Sequence, residues 1–324
     1  MSQPGRSSLP LQGRVAIVTG AGQGIGRAEA KHLASLGARV IVNDLGTAPD
    51  GSGTDPSLAQ VCVGEIEAEG GTAFAHAGDI SEPEGAASLL DLALGCWGKV
   101  DIVVNNAGNI RDRMLFTMTT EDWDSVVKVH LRGHFLMTRL ACAHWRERSK
   151  QGDSVRGRVI NTTSTSGLVG SAGQANYGAA KAGVAALTQI ASLEMARYGV
   201  TVNAVAPGAR TRMTERVFAK PAVAADAPDP LGPEHVARVV GFLASDAADH
   251  VTGQVIRVKG STIELYQGWR PVATTSRHGG WTSDGVVQAM EELFRSQPSR
   301  YTPAYLPGQL EDGSPGAGET ASGE

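Results

Sequence analysis

The sequence predicts an α/β fold: a single doubly wound sheet of seven parallel strands, with helices on both faces and a C-terminal extension. Two observations predict this fold. Short runs rich in β-branched residues alternate with longer stretches of helical period, which is typical of parallel strands joined by crossover helices. The chain has 324 residues, which is enough for one large α/β domain with a complete core.

The predicted strands are short apolar runs, several of them bounded by Gly, Asn or Asp. They cover residues 15–19, 39–43, 72–77, 102–105, 158–163, 201–206 and 255–258. Helices are predicted for the periodic stretches between them, at residues 24–36, 58–69, 83–97, 121–148, 177–197 and 233–243. Two helix starts are marked clearly: Thr120 offers a cap before acidic residues, and Pro233 stands at a first helical position.

The alternation of strands and helices stops after residue 260. We therefore expect four regions. Residues 1–11 are a flexible N-terminus, and residues 12–263 are one main domain. Residues 264–308 are an extension, and residues 309–324 are a disordered tail. Within the extension, residues 283–296 have the period of a capped amphipathic helix. The Gly-, Pro- and Asp-rich segment 45–56 is predicted to be a surface loop.

Charge and cysteine content exclude several classes of protein. Lys and Arg total 29 and Asp and Glu total 33, so the net charge is −4, and the dispersed charges leave no basic face for nucleic acid. The three cysteines are far apart and form no CxxC pair, which argues against a disulfide framework or a thiolate metal site. No apolar run approaches the roughly 18 residues of a membrane span, and residues 1–12 lack the apolar run of a secretory signal. We expect a cytoplasmic protein without a metal, a nucleic-acid partner or a membrane partner.

The first predicted strand runs directly into a glycine-rich turn, Thr19-Gly20-Ala21-Gly22-Gln23-Gly24-Ile25-Gly26, and a helix follows. Glycines let the backbone approach a pyrophosphate, whose charge is met by free N–H groups at the helix start and by the helix dipole. An ordinary tight turn is the alternative, because 41 of the residues are glycine. The flanking strand and helix favour a dinucleotide site.

An acidic residue follows the second predicted strand. Asp44 lies 20 positions after Gly24, where a carboxylate can accept hydrogen bonds from the ribose of adenosine. Its charge would repel a 2′-phosphate, and neither Gln23 nor Leu45 offers a compensating cation, so the expected cofactor is NAD. A turn or helix cap is the alternative role for this carboxylate.

Tyr177 and Lys181 lie four positions apart at the start of a predicted helix, so both side chains project from one face. A phenol can act as a base on a secondary alcohol if its pKa is lowered from about 10 by a nearby ammonium and a cationic nicotinamide. Ser164 follows the fifth strand, at the edge where sites of parallel sheets are built, and its hydroxyl can hold the substrate oxygen. An exposed surface pair and a polar turn are the alternatives.

These residues together resemble the short-chain dehydrogenase/reductase family over about residues 12–260. The motifs that carry the resemblance, in the family's order, are Thr19 to Gly26, Asn105-Asn106-Ala107-Gly108, Ser164, Tyr177-x-x-x-Lys181 and Pro207-Gly208. The resemblance implies a Rossmann-like fold in which Ser164 holds the substrate oxygen and Tyr177 is the general acid/base. It also implies that Lys181 binds the ribose and modulates the tyrosine pKa, and that Asn105 helps to shape the cofactor site.

The predicted cofactor contacts combine these motifs with Asp79 and Ile80, which follow the third strand and are expected at the adenine edge. The full set is Gly20, Gln23, Gly24, Ile25, Gly26, Asp44, Asp79, Ile80, Asn106, Ala107, Gly108, Tyr177, Lys181, Pro207, Gly208 and Thr211. Thr211 is expected to contact the nicotinamide carboxamide, in a loop one residue shorter than the family's common pattern.

His130 stands at the family's fourth catalytic position, which is usually Asn in an Asn-x-x-Gly segment. We include it among the catalytic candidates and expect the water of the proton relay to be held differently. His134 lies four positions further on, but no carboxylate or cysteine completes a zinc ligand set.

A narrower resemblance links the chain to the dehydrogenase domain of multifunctional β-oxidation enzymes. It is carried by Asn43-Asp44-Leu45-Gly46, Asn109-Ile110-Arg111-Asp112-Arg113, His130-Leu131-Arg132-Gly133, Gly173-Gln174-Ala175-Asn176-Tyr177 and Arg210-Thr211-Arg212-Met213. The resemblance implies (3R)-hydroxyacyl-CoA or 17β-hydroxysteroid substrates. The arginines Arg111, Arg113, Arg210 and Arg212 follow strand ends, and guanidinium groups suit an anionic CoA. Alternatively, some are solvated or pair with Asp112 and Glu215.

The leading hypothesis is an NAD-dependent oxidoreductase that moves a hydride between nicotinamide and a secondary alcohol or ketone. The expected substrate is a small molecule, either an acyl-CoA or a steroid-like molecule. An NADP-dependent ketoreductase of biosynthesis and a catalytically idle nucleotide-sensing protein are the alternatives. The family often forms tetramers through helices equivalent to 121–148 and 177–197, so we expect a homo-oligomer, a dimer or a tetramer. The segment with Trp269 and Trp281 is a candidate cover for a neighbouring subunit or the substrate mouth.

Overall fold

Eight strands form one sheet in the computed structural model, which describes residues 9–214 and 229–295. The strands are β1 (Val15–Thr19), β2 (Arg39–Asn43), β3 (Thr72–His76), β4 (Ile102–Asn105), β5 (Gly157–Thr162), β6 (Val200–Gly208), β7 (Val255–Lys259) and β8 (Thr262–Tyr266). Their order across the sheet is β3-β2-β1-β4-β5-β6-β7-β8. Strands β1 to β7 pair in parallel, as predicted. The bounds of β1, β2 and β4 equal the predicted ones, and those of the other four strands differ by one or two residues.

The eighth strand corrects the prediction of seven. β8 pairs antiparallel with β7 through a tight connection at Gly260 and Ser261. Gly260 has a φ of +54°, a conformation that glycine adopts without strain and that short hairpin turns require. The glycine-containing turn and the β-rich run that follows it were a hairpin signal that the sequence prediction missed. β8 also crosses the predicted domain boundary between residues 263 and 264.

Helices cover both faces of the sheet, as predicted. They are α1 (Gly24–Ser35), α2 (Ser57–Ala68), α3 (Pro83–Trp97), α4 (Thr120–Val127), α5 (His134–Lys150), α6 (Thr165–Val169), α7 (Ala175–Met195) and α8 (Glu234–Ala244), and the separate α9 (Ser283–Phe294) follows the sheet in sequence. Short 3₁₀ turns lie at Leu115–Thr117, Ala196–Tyr198 and Asp246–Ala248. The short helix α6 was not predicted.

Two apolar cores lie on opposite faces of the sheet. On one face, Leu33 of α1 and Val240 of α8 are buried in a cluster with the strands. On the other face, Leu89 of α3 and Met137 of α5 are buried in a second cluster. Because the central strands are covered on both sides, every residue of Val15–Thr19 is buried, which explains why such strands read as continuous apolar runs.

The predicted helix 121–148 is interrupted in the structure. α4 ends at Val127, a π-helical turn occupies Lys128–Gly133, and α5 begins at His134. A π turn inserts extra backbone into a helix without a proline or another sequence breaker, so periodicity alone does not reveal it. The turn carries His130, whose ring packs so closely that a Cβ on Gly108 would lie 2.1 Å from its Cε1 atom.

The chain divides into two compact units, Met1–Tyr266 and Gln267–Glu324. In the first unit, Leu11 is fully buried and its N–H donates to the carbonyl oxygen of Leu36, although we predicted a flexible segment at 1–11. In the second unit, α9 starts at the predicted residue, and the hydroxyl of Thr282 caps it by accepting from the N–H of Gly285. The predicted disordered tail 309–324 lies outside the described residues. Among the helices of the described ranges, none is long and apolar enough to cross a membrane.

Candidate active site

A cavity of about 430 Å³ opens where β1, β2 and β4 end. The strand order reverses between β1 and β4, and parallel α/β sheets bind ligands at such a point. Most of the predicted cofactor contacts line this cavity: Gly20, Gln23, Gly24, Ile25, Asp44, Asp79, Ile80, Asn106, Ala107, Gly108 and Thr211. The others, Gly26, Tyr177, Lys181, Pro207 and Gly208, are not among its lining residues.

The glycine turn has the shape that a pyrophosphate needs. Gly20 has a φ of +64°, and a Cβ at this position would lie 2.7 Å from the Cα atom of Ala107. A Cβ on Gly26 would lie 2.3 Å from the carbonyl oxygen of Gly20. The side chain of Gln23 makes no capping hydrogen bond at the start of α1, so the N–H groups there remain suited to an anion. The residues present fit a dinucleotide.

Two asparagines at the end of β4 have different structural roles. The amide of Asn106 donates to the carbonyl oxygens of Thr19 and Gly20, at 3.1 Å each. The hydroxyl of Thr19 accepts from the N–H of Asn106 at 3.0 Å. Asn105 is fully buried, and its amide donates to Asn161 on β5 and Thr138 on α5. Asn105 therefore supports the end of β4, whereas Asn106 shapes the turn directly.

Asp44 faces the cavity and also braces two turns. One carboxylate oxygen accepts from the N–H of Gly22 at 2.7 Å, and the other accepts from the N–H of Gly46 at 2.7 Å. A carboxylate oxygen has more than one lone pair, so both oxygens can accept further hydrogen bonds. The two roles considered from the sequence, cap and ribose ligand, are therefore compatible in this geometry.

The segment 45–56 is irregular, as predicted, but part of it lines the cavity. Thr47, Ala48, Pro49 and Gly51 contribute to the lining. Backbone carbonyls of this segment accept from Arg111 Nε at Asp50 (2.9 Å) and from Arg212 Nη2 at Thr47 (3.2 Å). Two arginines that were expected to suit a CoA thus hold this loop at the cavity.

The structure brings Ser164, Tyr177 and Lys181 together. Ser164 caps α6, where its hydroxyl accepts from the N–H of Ser166 at 3.2 Å, and it is close enough to the phenol of Tyr177 to affect the pKa of that group. The ammonium nitrogen of Lys181 lies 5.6 Å from the centre of the Tyr177 ring. It donates to the carbonyl oxygen of Thr162 at 2.6 Å, and this bond ties the lysine to the end of β5.

The electrostatics of the protein alone do not lower the tyrosine pKa. Burial raises the pKa of Tyr177, the hydrogen bond from Ser164 opposes this shift, and the carboxylate of Asp112 adds to it. Burial also lowers the pKa of Lys181 to about 7, so its ammonium form is only partly populated at neutral pH. The depression of the tyrosine pKa that we expected therefore requires a further positive charge.

His130 lies beside the tyrosine in a buried position. Its ring meets the ring of Tyr177 edge to face, with centroids 5.1 Å apart. Its Nε2 atom lies 2.7 Å from the carbonyl oxygen and 3.1 Å from the amide nitrogen of Asn109. Burial and the nearby charge of Lys181 hold the pKa of His130 well below its usual range, so the imidazole is neutral. In the residues that the structure describes, His, Cys, Asp and Glu form no group able to hold a metal.

Sequence reasoning missed Asn176, which fixes the start of α7. Its buried amide donates to the carbonyl oxygens of Arg111 and Asp122 at 3.0 Å each, and its oxygen accepts from the N–H of Tyr177 at 2.7 Å. In the sequence, Asn176 stands out only as part of the motif that precedes Tyr177. Its hydrogen-bond partners lie in segments remote in sequence, so residue spacing did not indicate its role.

Two of the arginines predicted at the site form ion pairs with other residues. Arg113 pairs with Asp122 and Arg210 pairs with Asp229, each at 2.7 Å, rather than with Asp112. Glu215, the other predicted partner, lies outside the described residues. Pro207 and Gly208 end β6 and pair with β7, while Thr211 reaches the cavity through a turn in which its N–H donates to Thr214.

A doubly wound sheet, a glycine turn at its switch point, and adjacent tyrosine, lysine and serine side chains define a dinucleotide-dependent oxidoreductase of the α/β class. The family model for short chain dehydrogenases matches residues 14–222. The chain belongs to this family, an NAD(P)-dependent group that acts on CH–OH donors, and the resemblance stated from the sequence is confirmed.

Comparisons with individual proteins agree with this assignment. The chain is 54% identical over 263 residues to the hydroxyacyl-CoA dehydrogenase ChsB1 of Mycobacterium tuberculosis, covering 80% of this chain and 81% of that protein. It is 40% identical over 263 residues to the mouse peroxisomal multifunctional enzyme type 2, covering 81% of this chain but 33% of that longer enzyme. A crystal structure of a short chain dehydrogenase from Mycobacterium avium matches with a TM-score of 0.80 and 42% identity, covering 91% of this chain and 99% of that one.

Proposed function

We propose that this oxidoreductase uses NAD and oxidises the hydroxyl group of a 3-hydroxyacyl-CoA thioester. The observation that carries the proposal is the position of Lys181 Nζ, 5.6 Å from the centre of the Tyr177 ring, next to His130, which packs against Gly108 in the wall of the cavity. The relative named hydroxyacyl-CoA dehydrogenase supports the thioester as substrate, and Asp44 at the cavity wall supports NAD.

In this proposal, each side chain has a distinct task. Ser164 holds the substrate oxygen by a hydrogen bond, and Tyr177 removes the hydroxyl proton as general base. The ammonium form of Lys181 favours the phenolate of Tyr177 and binds the cofactor ribose. Neutral His130 packs against the tyrosine ring and keeps it oriented toward the substrate side.

The cofactor would be held by the glycine turn at its pyrophosphate and by Asp44 at its adenosine ribose. A bound oxidised cofactor would supply the acceptor for the hydride and a positively charged ring. Burial raises the pKa of Tyr177 in the protein alone, so a positive charge near the phenol would favour the phenolate that acts as the base.

The experiment that tests the function is a screen of NAD and NADP reduction with 3-hydroxyacyl-CoA thioesters, hydroxysteroids and simple secondary alcohols side by side. We expect the greatest kcat/KM with a thioester and NAD. Preference for NADP would instead support a ketoreductase, and the absence of turnover with every alcohol would support a nucleotide sensor.

We propose a homo-oligomer that uses the outward face of α7. Ala179, Ala182, Ala186, Ile190 and Leu193 form an exposed apolar stripe on this helix, and Leu193 is 82% exposed. Small residues allow close helix packing, and large exposed apolar residues mark interfaces. From the sequence, we also propose that the protein is cytoplasmic.

Leu193→Glu tests the interface. Because a charge in the centre of an apolar contact is costly to bury, we expect the variant to dissociate, as measured by light scattering after gel filtration. The matched control is Gln60→Glu, which places the same charge on an exposed position of α2. If the unaltered protein and Leu193→Glu have the same mass, this face is not an interface.

A further inference from the structure

A histidine at the end of β3 links two segments that line the cofactor cavity. The ring nitrogen Nδ1 of His76 lies 3.2 Å from the backbone nitrogen of Gly78 and 3.0 Å from the side-chain nitrogen of Asn43. Asn43 and Gly78 both line the cavity, whereas His76 is not among its lining residues. His76 therefore supports the wall of the cavity and is not part of its surface.

The hydrogen bonds define which ring nitrogen of His76 carries the proton. The hydroxyl of Ser88, on α3, donates its single proton to the carbonyl oxygen of Gly85 at 3.0 Å. The oxygen of this hydroxyl lies 3.0 Å from Nε2 of His76, so it accepts from an Nε2–H group. A backbone N–H can only donate, so Nδ1, which faces the N–H of Gly78, is the unprotonated acceptor. Both sides of the ring thus require the same neutral tautomer, and burial, which lowers the pKa of His76, favours the neutral form.

His76 also connects β3 to the end of β2. Its carbonyl oxygen accepts from the N–H of Asp44 at 3.0 Å, and the residue pairs in register with Asn43. The side-chain nitrogen of Asn43 also donates to the carbonyl oxygen of Gly78 at 2.9 Å. A Cβ on Gly78 would lie 2.4 Å from Cε1 of His76, so the ring packs directly against this backbone. One residue therefore holds Asn43, Asp44 and Gly78 relative to one another.

These contacts lie at the part of the cavity that suits the adenosine half of a dinucleotide. The glycine turn follows β1, Asp44 follows β2 and Gly78 follows β3, and these three strands are neighbours in the sheet. The proposed function places the pyrophosphate at the glycine turn and the ribose at Asp44. The adenine base then lies beyond Asp44, on the side of Gly78 and Asp79, which both line the cavity.

We propose that His76 is a positioning residue for the adenosine half of the cofactor, because its Nδ1 atom is the shared hydrogen-bond acceptor that holds Asn43 and Gly78 in the cavity wall. The inference rests on the dinucleotide part of the proposed function and not on its substrate. A wall that is already ordered costs less free energy to organise when the ligand binds, so the affinity is higher. Without this acceptor, the N–H groups of Asn43 and Gly78 that face the ring lose their partner, and ligand binding has to order the wall.

Two substitutions separate the acceptor from the bulk of the ring. His76→Leu removes both ring nitrogens and keeps an apolar side chain, whereas His76→Asn offers an oxygen acceptor near the place of Nδ1. The matched control is Thr72→Leu, which introduces the same side chain at an exposed position at the other end of β3. Calorimetry measures the dissociation constants of NADH, NADPH and ADP-ribose for the unaltered protein and the three variants.

We expect His76→Leu to weaken the binding of ADP-ribose and of the preferred dinucleotide by about tenfold, as for the loss of one hydrogen-bond acceptor. His76→Asn should bind both ligands within about threefold of the unaltered protein, because an acceptor is retained. Thr72→Leu should leave both dissociation constants unchanged. Unchanged affinity in His76→Leu, or an equal loss in His76→Leu and His76→Asn, overturns the proposal.

Failure of the proposed NAD preference has a different signature, because the unaltered protein would then bind NADPH more tightly than NADH. The three variants are in that case compared with NADPH and ADP-ribose, and the expected ratios between the proteins are the same.

A measurement on the unaltered protein tests the hydrogen bonds without relying on the folding of a variant. Nitrogen-15 NMR of the imidazole ring distinguishes a protonated ring nitrogen from an unprotonated one. We expect His76 to have a protonated Nε2 and an unprotonated Nδ1 at neutral pH. The opposite tautomer, or a ring protonated at both nitrogens, overturns the proposal.

Discussion

At the scale of single residues, the position of Tyr177 depends on a buried amide rather than on packing alone. The side chain of Asn176 is buried, and it bonds to two backbone carbonyls and one N–H. Leaving such groups unpaired costs about 1–3 kcal/mol each. The motif Tyr-x-x-x-Lys predicted which side chains meet, but not what holds them, because Arg111 and Asp122 approach Asn176 only in the folded chain.

Asp44 gives the first prediction at this scale. We expect the unaltered protein to bind NADH at least about tenfold more tightly than NADPH, because the carboxylate repels a 2′-phosphate. In Asp44→Ala, the ratio of the NADPH dissociation constant to the NADH dissociation constant should be smaller, as measured by the fluorescence of the bound nucleotides. Asp50→Ala, which removes an exposed carboxylate from the same loop, is the control and should leave the ratio unchanged. Tighter binding of NADPH by the unaltered protein would contradict the role of Asp44.

At the scale of elements, the strands and helices that carry motifs were predictable from the sequence. β1, the glycine turn and α1 follow from an apolar run, a glycine cluster and a helical period that are local in the chain. The π turn at Lys128–Gly133 was not predictable, because helical periodicity continues through it; in the structure it carries His130, which packs against Gly108. The loop 45–56 was recognised as irregular, but its place over the cavity depends on arginines distant in sequence.

Helix α1 also contains a buried acid, which gives a prediction about stability. Glu29 is fully buried, and burial raises its pKa from 4.5 to about 8. The folded protein therefore keeps a proton that the unfolded chain releases, so stability falls as pH rises between these values, by at most about 1.4 kcal/mol per pH unit. Glu29→Gln does not titrate. The free energy of unfolding of Glu29→Gln minus that of the unaltered protein should increase from about pH 5 to about pH 8 and stay constant above about pH 8.

Urea denaturation across this pH range measures the difference. Glu67→Gln, which changes an exposed residue of the neighbouring helix α2, serves as the control and should follow the unaltered protein at every pH. If the difference in unfolding free energy between Glu29→Gln and the unaltered protein does not change with pH, Glu29 is ionised in the folded protein.

At the scale of the whole molecule, the chain consists of an α/β unit that ends at Tyr266 and a second unit that begins at Gln267. Of the four regions predicted from the sequence, the main domain was expected to end at residue 263, inside β8, because the alternation of strand and helix ends before that strand. Only the pairing of β8 with β7, which includes an ion pair between Arg257 and Glu264, shows that it belongs to the sheet.

Two truncations test this division. A chain ended after Tyr266 should melt within a few degrees of the full chain, because its sheet is complete. A chain ended after Gly260 loses β8 and exposes the edge of β7, so we expect its Tm to be lower by about 4 °C or more. Thermal unfolding followed by circular dichroism measures both. Equal melting of the two truncated chains would show that β8 contributes nothing to the sheet.

The most direct test of the account is the effect of Tyr177→Phe on the rate of NADH formation from a 3-hydroxyacyl-CoA, with NADH affinity measured in parallel. The substitution removes the phenolic oxygen and retains the ring that packs against His130. We predict that kcat falls by about 10²–10⁴-fold while NADH binds as before. Turnover that survives the substitution at a comparable rate would contradict the assignment of Tyr177 as the general base.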